Sequence, residues 1–107
     1  MLDLWHYMRG RPDDELLRSL PGDRIGAVQL CDAPASVPPG MAVATEGLNH
    51  RLMPGNGDFP ITRILEILRS TGGLNNIGIE VFSGELDRMT AIEIGTAARR
   101  ILDREVA

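Results

Sequence analysis

The feature that most constrains this chain is an alternation: short apolar runs, each followed by a stretch with helical signals. Ile25-Gly26-Ala27-Val28-Gln29-Leu30 and Ile77-Gly78-Ile79-Glu80-Val81-Phe82 lack the alternating polar residues of a half-exposed strand. That is the pattern of strands covered on both faces in a parallel sheet. Met1 to Met8 reads as the end of a third apolar stretch, carrying Asp3, Trp5 and His6 and broken by Arg9-Gly10-Arg11-Pro12. Only Met1 and Leu2 precede Asp3, too few for a typical strand of about 5–6 residues.

Each run has a helix after it. Pro12 suits a first helical turn, and Asp13, Asp14 and Glu15 complement the positive end of the dipole; that helix reaches about Leu20, with Leu16, Leu17 and Leu20 on one face and Pro21-Gly22 beyond its end. Pro60 opens a second, in which Ile61, Ile64, Leu65 and Leu68 recur at helical spacing until Gly72-Gly73. A third starts at Thr90, where Thr90 and Glu93 form a capping box, and runs through Ile94, Ala97, Ala98, Ile101 and Leu102. From Cys31 to Asp58 the sequence shows no convincing periodicity and is punctuated by Pro and Gly; loops beyond about 12–15 residues are uncommon in compact domains unless they cover a site or are disordered. The order strand, helix, strand, helix, strand, helix implies a parallel sheet with right-handed crossovers. The expected fold class is therefore α/β.

Composition removes several functions. With 11 basic against 15 acidic side chains in 107 residues, the chain has no basic face for phosphates, so neither nucleic acid nor an acidic membrane surface is an expected partner. All 11 basic residues are Arg, which excludes a lysine Schiff base, a P-loop lysine and a lysine general base. The lone Cys31 cannot form an internal disulfide, as expected for a reducing compartment, and no run of about 18 apolar residues or signal peptide is present. The expected location is the cytoplasm. Cys31 reads as a buried small apolar residue rather than a nucleophile, since no base is placed beside it.

In parallel α/β sheets the polar residues at the C-terminal ends of strands build the site. Asp3, Gln29 and Glu80 each fall at or near such an end. Carboxylate, amide and carboxylate oxygens suit a hard ion such as Mg²⁺ or Mn²⁺. Such an ion polarises a substrate hydroxyl or carbonyl and acidifies the neighbouring C–H, leaving His6 for proton transfer. Each residue also has a plainer reading. Glu80 suits a structural ion pair with one of the arginines, and Asp3-x-x-His6 suits a capping Asp and an exposed His. In His50-Arg51-Leu52-Met53-Pro54-Gly55-Asn56-Gly57-Asp58, Arg51 suits a substrate carboxylate or phosphate and Gly55 and Gly57 suit backbone N–H approach to it, while Pro-Gly-Asn-Gly is also good turn chemistry.

Leu-Asp-Leu-Trp-His (2–6), Val-Gln-Leu-Cys-Asp-Ala (28–33), Arg51 with Pro-Gly-Asn-Gly-Asp (54–58) and Ile-Glu-Val-Phe (79–82) together resemble the C-terminal three units of the xylose isomerase-like TIM barrels, over nearly the whole chain. The resemblance implies three consecutive βα units of a (β/α)8 barrel, an incomplete barrel over residues 1–107, with Asp3, Gln29 and Glu80 as three of four metal ligands. Many members have His at the middle position, so Gln29 is a departure, as is Asn56 where relatives have Glu. Gln29 with Asp-x-x-His looks like the 3-dehydroshikimate dehydratase branch, whose roles would make His6 the proton-transfer group and Arg51 the carboxylate binder. The fourth carboxylate comes from an earlier strand in the family, so weak Mn²⁺ binding is expected of this chain.

The expected function is thus a partial, metal-dependent sugar or sugar-phosphate isomerase or epimerase acting on a small polyhydroxylated or carboxylated carbonyl compound. The alternatives are a 3-dehydroshikimate dehydratase-like lyase, and an inactive truncated fragment. Open sheet edges lead us to expect a homo-oligomer, or completion by a missing N-terminal part of the barrel.

Overall fold

The computed structural model describes residues 1–106. Three strands form one parallel sheet in the order β1 (Leu2–Asp3), β2 (Val28–Leu30), β3 (Ile77–Ile79). Leu2 pairs with Val28 and Asp3 with Gln29, while Val28, Gln29 and Leu30 pair with Ile77, Gly78 and Ile79. Among the described residues five α-helices connect and cover the strands: α1 (Leu4–Arg9), α2 (Asp14–Ser19), α3 (Val43–Asn49), α4 (Ile61–Thr71) and α5 (Ala91–Val106).

The expected strands shorten in the folded chain. Val28 and Leu30 are buried while Gln29 between them is half-buried, so one face of β2 carries the core and the other turns toward the site. The second apolar run ends as a strand at Ile79, which moves Glu80 out of the sheet and onto its rim. The first apolar stretch continues past Asp3 as helix α1, because Asp3 caps it: the Asp3 carboxylate accepts from His6 N at 2.9 Å.

α2 begins one turn position later than the sequence suggests. Asp13 is the N-cap, accepting from Leu16 N at 3.0 Å, and Pro12 lies before it. Only Leu17 of the expected face is buried; Leu16 and Leu20 are exposed. α4 follows its sequence pattern, with Ile61, Ile64, Leu65, Ile67 and Leu68 buried. Its end is set by Gly72 in the left-handed conformation (φ 74°), which lets Gly73 N reach Leu68 O at 2.8 Å. In α5 the capping box forms as read, with Thr90 N donating to Glu93 Oε2 (2.8 Å) and Glu93 N to Thr90 Oγ1 (3.2 Å). The bonds that Thr90 N and Thr90 Oγ1 (3.1 Å) donate to Glu93 Oε2 hold the Glu93 carboxyl below its ordinary value. Ile94, Ala97, Ala98, Ile101 and Leu102 form the least exposed stripe of α5, though only Ile101 is fully buried.

The core joins Leu4, Trp5, Leu17, Val28, Leu30, Cys31, Ile64, Leu65 and Leu68 between the sheet and its helices. Fully burying one such aliphatic side chain contributes roughly 1.5–3 kcal/mol before entropy is counted. Its effect on the site is positional: it fixes the three strand ends side by side.

Candidate functional site

At the C-terminal end of the sheet, Asp3 and Gln29 stand opposite each other in register, so their side chains share one face. Glu80 follows β3 directly, with its N–H bonded to Leu30 O at 2.9 Å, and lies two residues beyond Gly78, the register partner of Gln29. The three expected ligands therefore gather on one rim. Among the described residues Gln29 Oε1 is buried without a hydrogen-bond partner. A buried amide oxygen left unpaired is costly, so this is an acceptor that a donor or a cation would satisfy. Among the described residues no cluster of three or more His, Cys, Asp or Glu side chains is gathered for a metal; the oxygen set here consists of two carboxylates and an amide.

Arg51 lies among these groups. It is 3% exposed, and its Nη1 donates to Asp3 Oδ2 at 2.9 Å and lies 4.0 Å from Glu80 Oε2. Its Nε donates to Gly47 O at 2.7 Å. The guanidinium carbon is 5.0 Å from the ring centres of both Trp5 and Phe82, so the cation lies over two aromatic rings. Expected as the grip on a substrate anion, Arg51 here spends its Nη1 and Nε inside the chain. The ion-pair reading of Glu80 also has its counterpart in this contact. Among the described residues Nη2 makes no hydrogen bond.

His6 is exposed, with its ring edge-on to Trp5 at 5.0 Å. The Asp-x-x-His spacing is that of an N-cap: one Asp3 oxygen holds His6 N and the other holds Arg51.

The glycine-rich turn is placed differently from the expectation. Asp32, 1% exposed, accepts from Ala33 N, Gly55 N and Phe59 N, each at 2.9 Å. Gly55 has φ +97°, and a Cβ on Gly57 would meet Ala33 O and Asp32 Oδ1 at 2.5 Å. Both glycines are therefore required by a turn built on Asp32. They line a cavity with Asp32, Phe59 and Glu105, whereas Arg51 lines another with His50, Ser83 and Arg88. Turn chemistry accounts for Gly55 and Gly57.

Sequence reasoning missed Glu46. It lies in α3, inside the stretch read as a loop, and is fully buried. It accepts from Trp5 Nε1 (2.8 Å), Arg9 Nε (2.7 Å) and Arg9 Nη2 (2.9 Å). Burial alone would push its carboxyl up, but the bonds from Arg9 and Trp5 and the Arg9 charge outweigh it, so it stays below its usual range. Gly47 beside it has no room for a Cβ, which would come within 2.6 Å of the Trp5 ring. The one sequence signal for α3 is that Met41 to Met53 contains no Pro. Cys31, also beside the site, is fully buried, and burial pushes its thiol up to about 12. That matches an inert apolar residue.

The sequence profile described as "Xylose isomerase-like TIM barrel" matches residues 1–103. The chain belongs to that family. Among solved structures, it superposes on the IolI protein, solved with a bound zinc atom, with a TM-score of 0.81 and 24% identity, over 95% of this chain and 35% of that one. A fusion of a xylose isomerase-like TIM barrel with 4-hydroxyphenylpyruvate dioxygenase matches with a TM-score of 0.66 and 30% identity, over 77% of this chain and 13% of that one. A 3-dehydroshikimate dehydratase of Pseudomonas putida strain KT2440 is 30% identical over 83 residues, which is 78% of this chain. The chain spans 13% of the dehydratase's length. Parallel strands, helices between them and polar residues at the strand ends are thus those of a TIM barrel segment. No helix among the described residues is long and apolar enough to cross a membrane.

Proposed function

We propose that this chain carries part of a divalent-metal site at which a proton is moved beside a carbonyl, in an isomerase- or epimerase-type enzyme for polyhydroxylated carbonyl compounds. The observation that carries the reading is the unpartnered Gln29 Oε1, buried between Asp3 on the neighbouring strand and Glu80 at the rim. Asp3, Gln29 and Glu80 would hold the ion, and an all-oxygen set favours Mg²⁺ or Mn²⁺. When bound, such an ion polarises a substrate oxygen and makes the adjacent C–H more acidic. His6, exposed next to the Asp3 cap, exchanges the proton with that carbon. Arg51 offers Nη2 to a substrate carboxylate or phosphate, while its other nitrogens stay on Asp3 and Gly47.

A second reading, dehydration of a 3-dehydroshikimate-like acid, is favoured by the 30% identity to the dehydratase. Both begin with removal of a proton next to a carbonyl and differ in what leaves. The sheet edges at β1 and β3 are open among the described residues, and we include in the proposal a cytoplasmic homo-oligomer that covers them, with activity depending on the strands so supplied.

The test is Mn²⁺ titration of the protein followed by incubation in D₂O with a ketose phosphate or with 3-dehydroshikimate. Deuterium exchange beside the carbonyl without loss of water supports the isomerase reading; an aromatic product from the acid supports the lyase. The proposal fails if Mn²⁺ binding is absent, or is unchanged in Glu80→Ala. Light scattering that reports a folded monomer at micromolar concentration overturns the oligomer.

A further inference from the structure

The position of Arg51 has a consequence for how the site takes a cation. A guanidinium 2.9 Å from Asp3 Oδ2 and 4.0 Å from Glu80 Oε2 already balances part of the charge of the two carboxylates that stand at the strand ends. It is not a mobile surface arginine. Gly47 O fixes Nε, the Trp5 and Phe82 rings lie against the guanidinium at 5.0 Å, and 3% exposure leaves little water to screen the charge. Asp3 Oδ1 is committed to the cap of α1, so Oδ2 is the oxygen on which other cations must draw, and Arg51 occupies one of its lone pairs.

We propose that Arg51 is the resident counter-cation of the Asp3–Glu80 pair and sets the affinity of that pair for a divalent ion, holding it lower than the oxygens alone would give. The inference rests on the metal reading above, and deepens it. A divalent ion at Asp3, Gln29 and Glu80 shares its carboxylates with a fixed positive charge a few ångströms away. The repulsion weakens binding, and it makes release of the ion easier.

Arg51→Met removes the charge and leaves an unbranched apolar side chain between Trp5 and Phe82. Arg51→Gln removes the charge while keeping an amide donor for Asp3 or Gly47, and serves if the Met variant does not fold. Arg51→Lys keeps the charge. Binding is read as the loss of the free Mn²⁺ electron paramagnetic resonance signal, with far-ultraviolet circular dichroism and the emission of Trp5, the single tryptophan, reporting the fold. Coulomb repulsion at such separations in a partly buried site leads us to expect at least about tenfold tighter Mn²⁺ binding in the uncharged variants, and wild-type affinity in Arg51→Lys. Adding Glu80→Gln must weaken Mn²⁺ binding in the uncharged variants as it does in wild type, which places the gain at this site. The inference is overturned if a folded Arg51→Met or Arg51→Gln protein binds Mn²⁺ no more tightly than wild type, or if Glu80→Gln leaves the tighter binding unchanged. If wild type binds and Glu80→Gln weakens it, but the uncharged variants show no gain, this inference fails and the metal reading stands. If neither wild type nor the uncharged variants bind Mn²⁺ at millimolar concentration, both fail.

Discussion

Truncating Glu46 to alanine should destabilise the protein by about 3–5 kcal/mol, the usual cost of leaving one partner of a buried ion pair alone. The structure says why the penalty is high. Glu46 is fully buried and Arg9 nearly so, and three hydrogen bonds of 2.7–2.9 Å converge on the carboxylate. After truncation Arg9 keeps its bonds to Pro34 O (2.7 Å) and Ala35 O (3.3 Å), so it does not simply swing into water. Trp5 Nε1 loses its acceptor inside the core, worth about 1–3 kcal/mol by itself and included in that total. A small domain has about 5–15 kcal/mol in all, so the loss is a large share. Urea unfolding followed by Trp5 emission and circular dichroism measures it. Glu46→Gln, which keeps an acceptor for Trp5 but faces Arg9 without charge, should fall between wild type and Glu46→Ala. Arg9→Met with Glu46→Leu should recover part of the loss, since both charges then leave together while Trp5 Nε1 still lacks its acceptor. The pH dependence has a definite sign. Because the folded carboxyl lies below its unfolded value, its stabilisation is present above the ordinary Glu pKa of about 4.3 and is lost as pH falls through the folded value. The gap between wild type and Glu46→Ala must therefore narrow in acid. A loss under about 1 kcal/mol at neutral pH, or a gap that widens on acidification, would refute this account of α1 and α3.

Three further outcomes are expected. Gly22→Ala should unfold the protein or cost several kcal/mol by the usual scale of overpacking, because a Cβ there would lie 2.1 Å from Thr71 O in the backbone; a thermal melt equal to wild type would contradict it. Cys31, buried with its thiol pushed up to about 12, should resist thiol reagents at pH 8 until denaturant is added, and rapid labelling of the native protein would show the site to be open. Thr90→Ala should fray the start of α5, costing about 0.5–2 kcal/mol, with amide exchange near Glu93 as the readout; unchanged protection would remove the cap from the account.

What could be read from the sequence follows from which forces act locally. The α4 face of Ile61, Ile64, Leu65 and Leu68, its Gly72 end and the Thr90–Glu93 box all come from residues within a turn of one another, and all three form as read. α3 was not legible because its apolar and polar residues are inverted: it buries Glu46 and Gly47 and exposes Val43 and Leu48. Its stability comes from Trp5 and Arg9, 41 and 37 residues away, and no periodicity records such partners. The same holds for Leu16 and Leu20, apolar residues that the packing of α2 leaves exposed.

By itself the sequence determined that the chain alternates strands and helices, that Asp3, Gln29 and Glu80 come at strand ends, and that every side-chain cation except histidine is a guanidinium. These are matters of period, spacing and residue chemistry. Only the tertiary structure decided what the oxygens meet. It placed Asp3 and Gln29 in register, left Gln29 Oε1 without a donor among the described residues, and brought Arg51 across 48 residues onto Asp3 and over the Trp5 and Phe82 rings. It also turned Gly55 and Gly57 away to Asp32. The physical reason is that a buried charge selects its partner by distance and desolvation in the folded chain, and those quantities do not exist until the sheet has set the strand ends side by side.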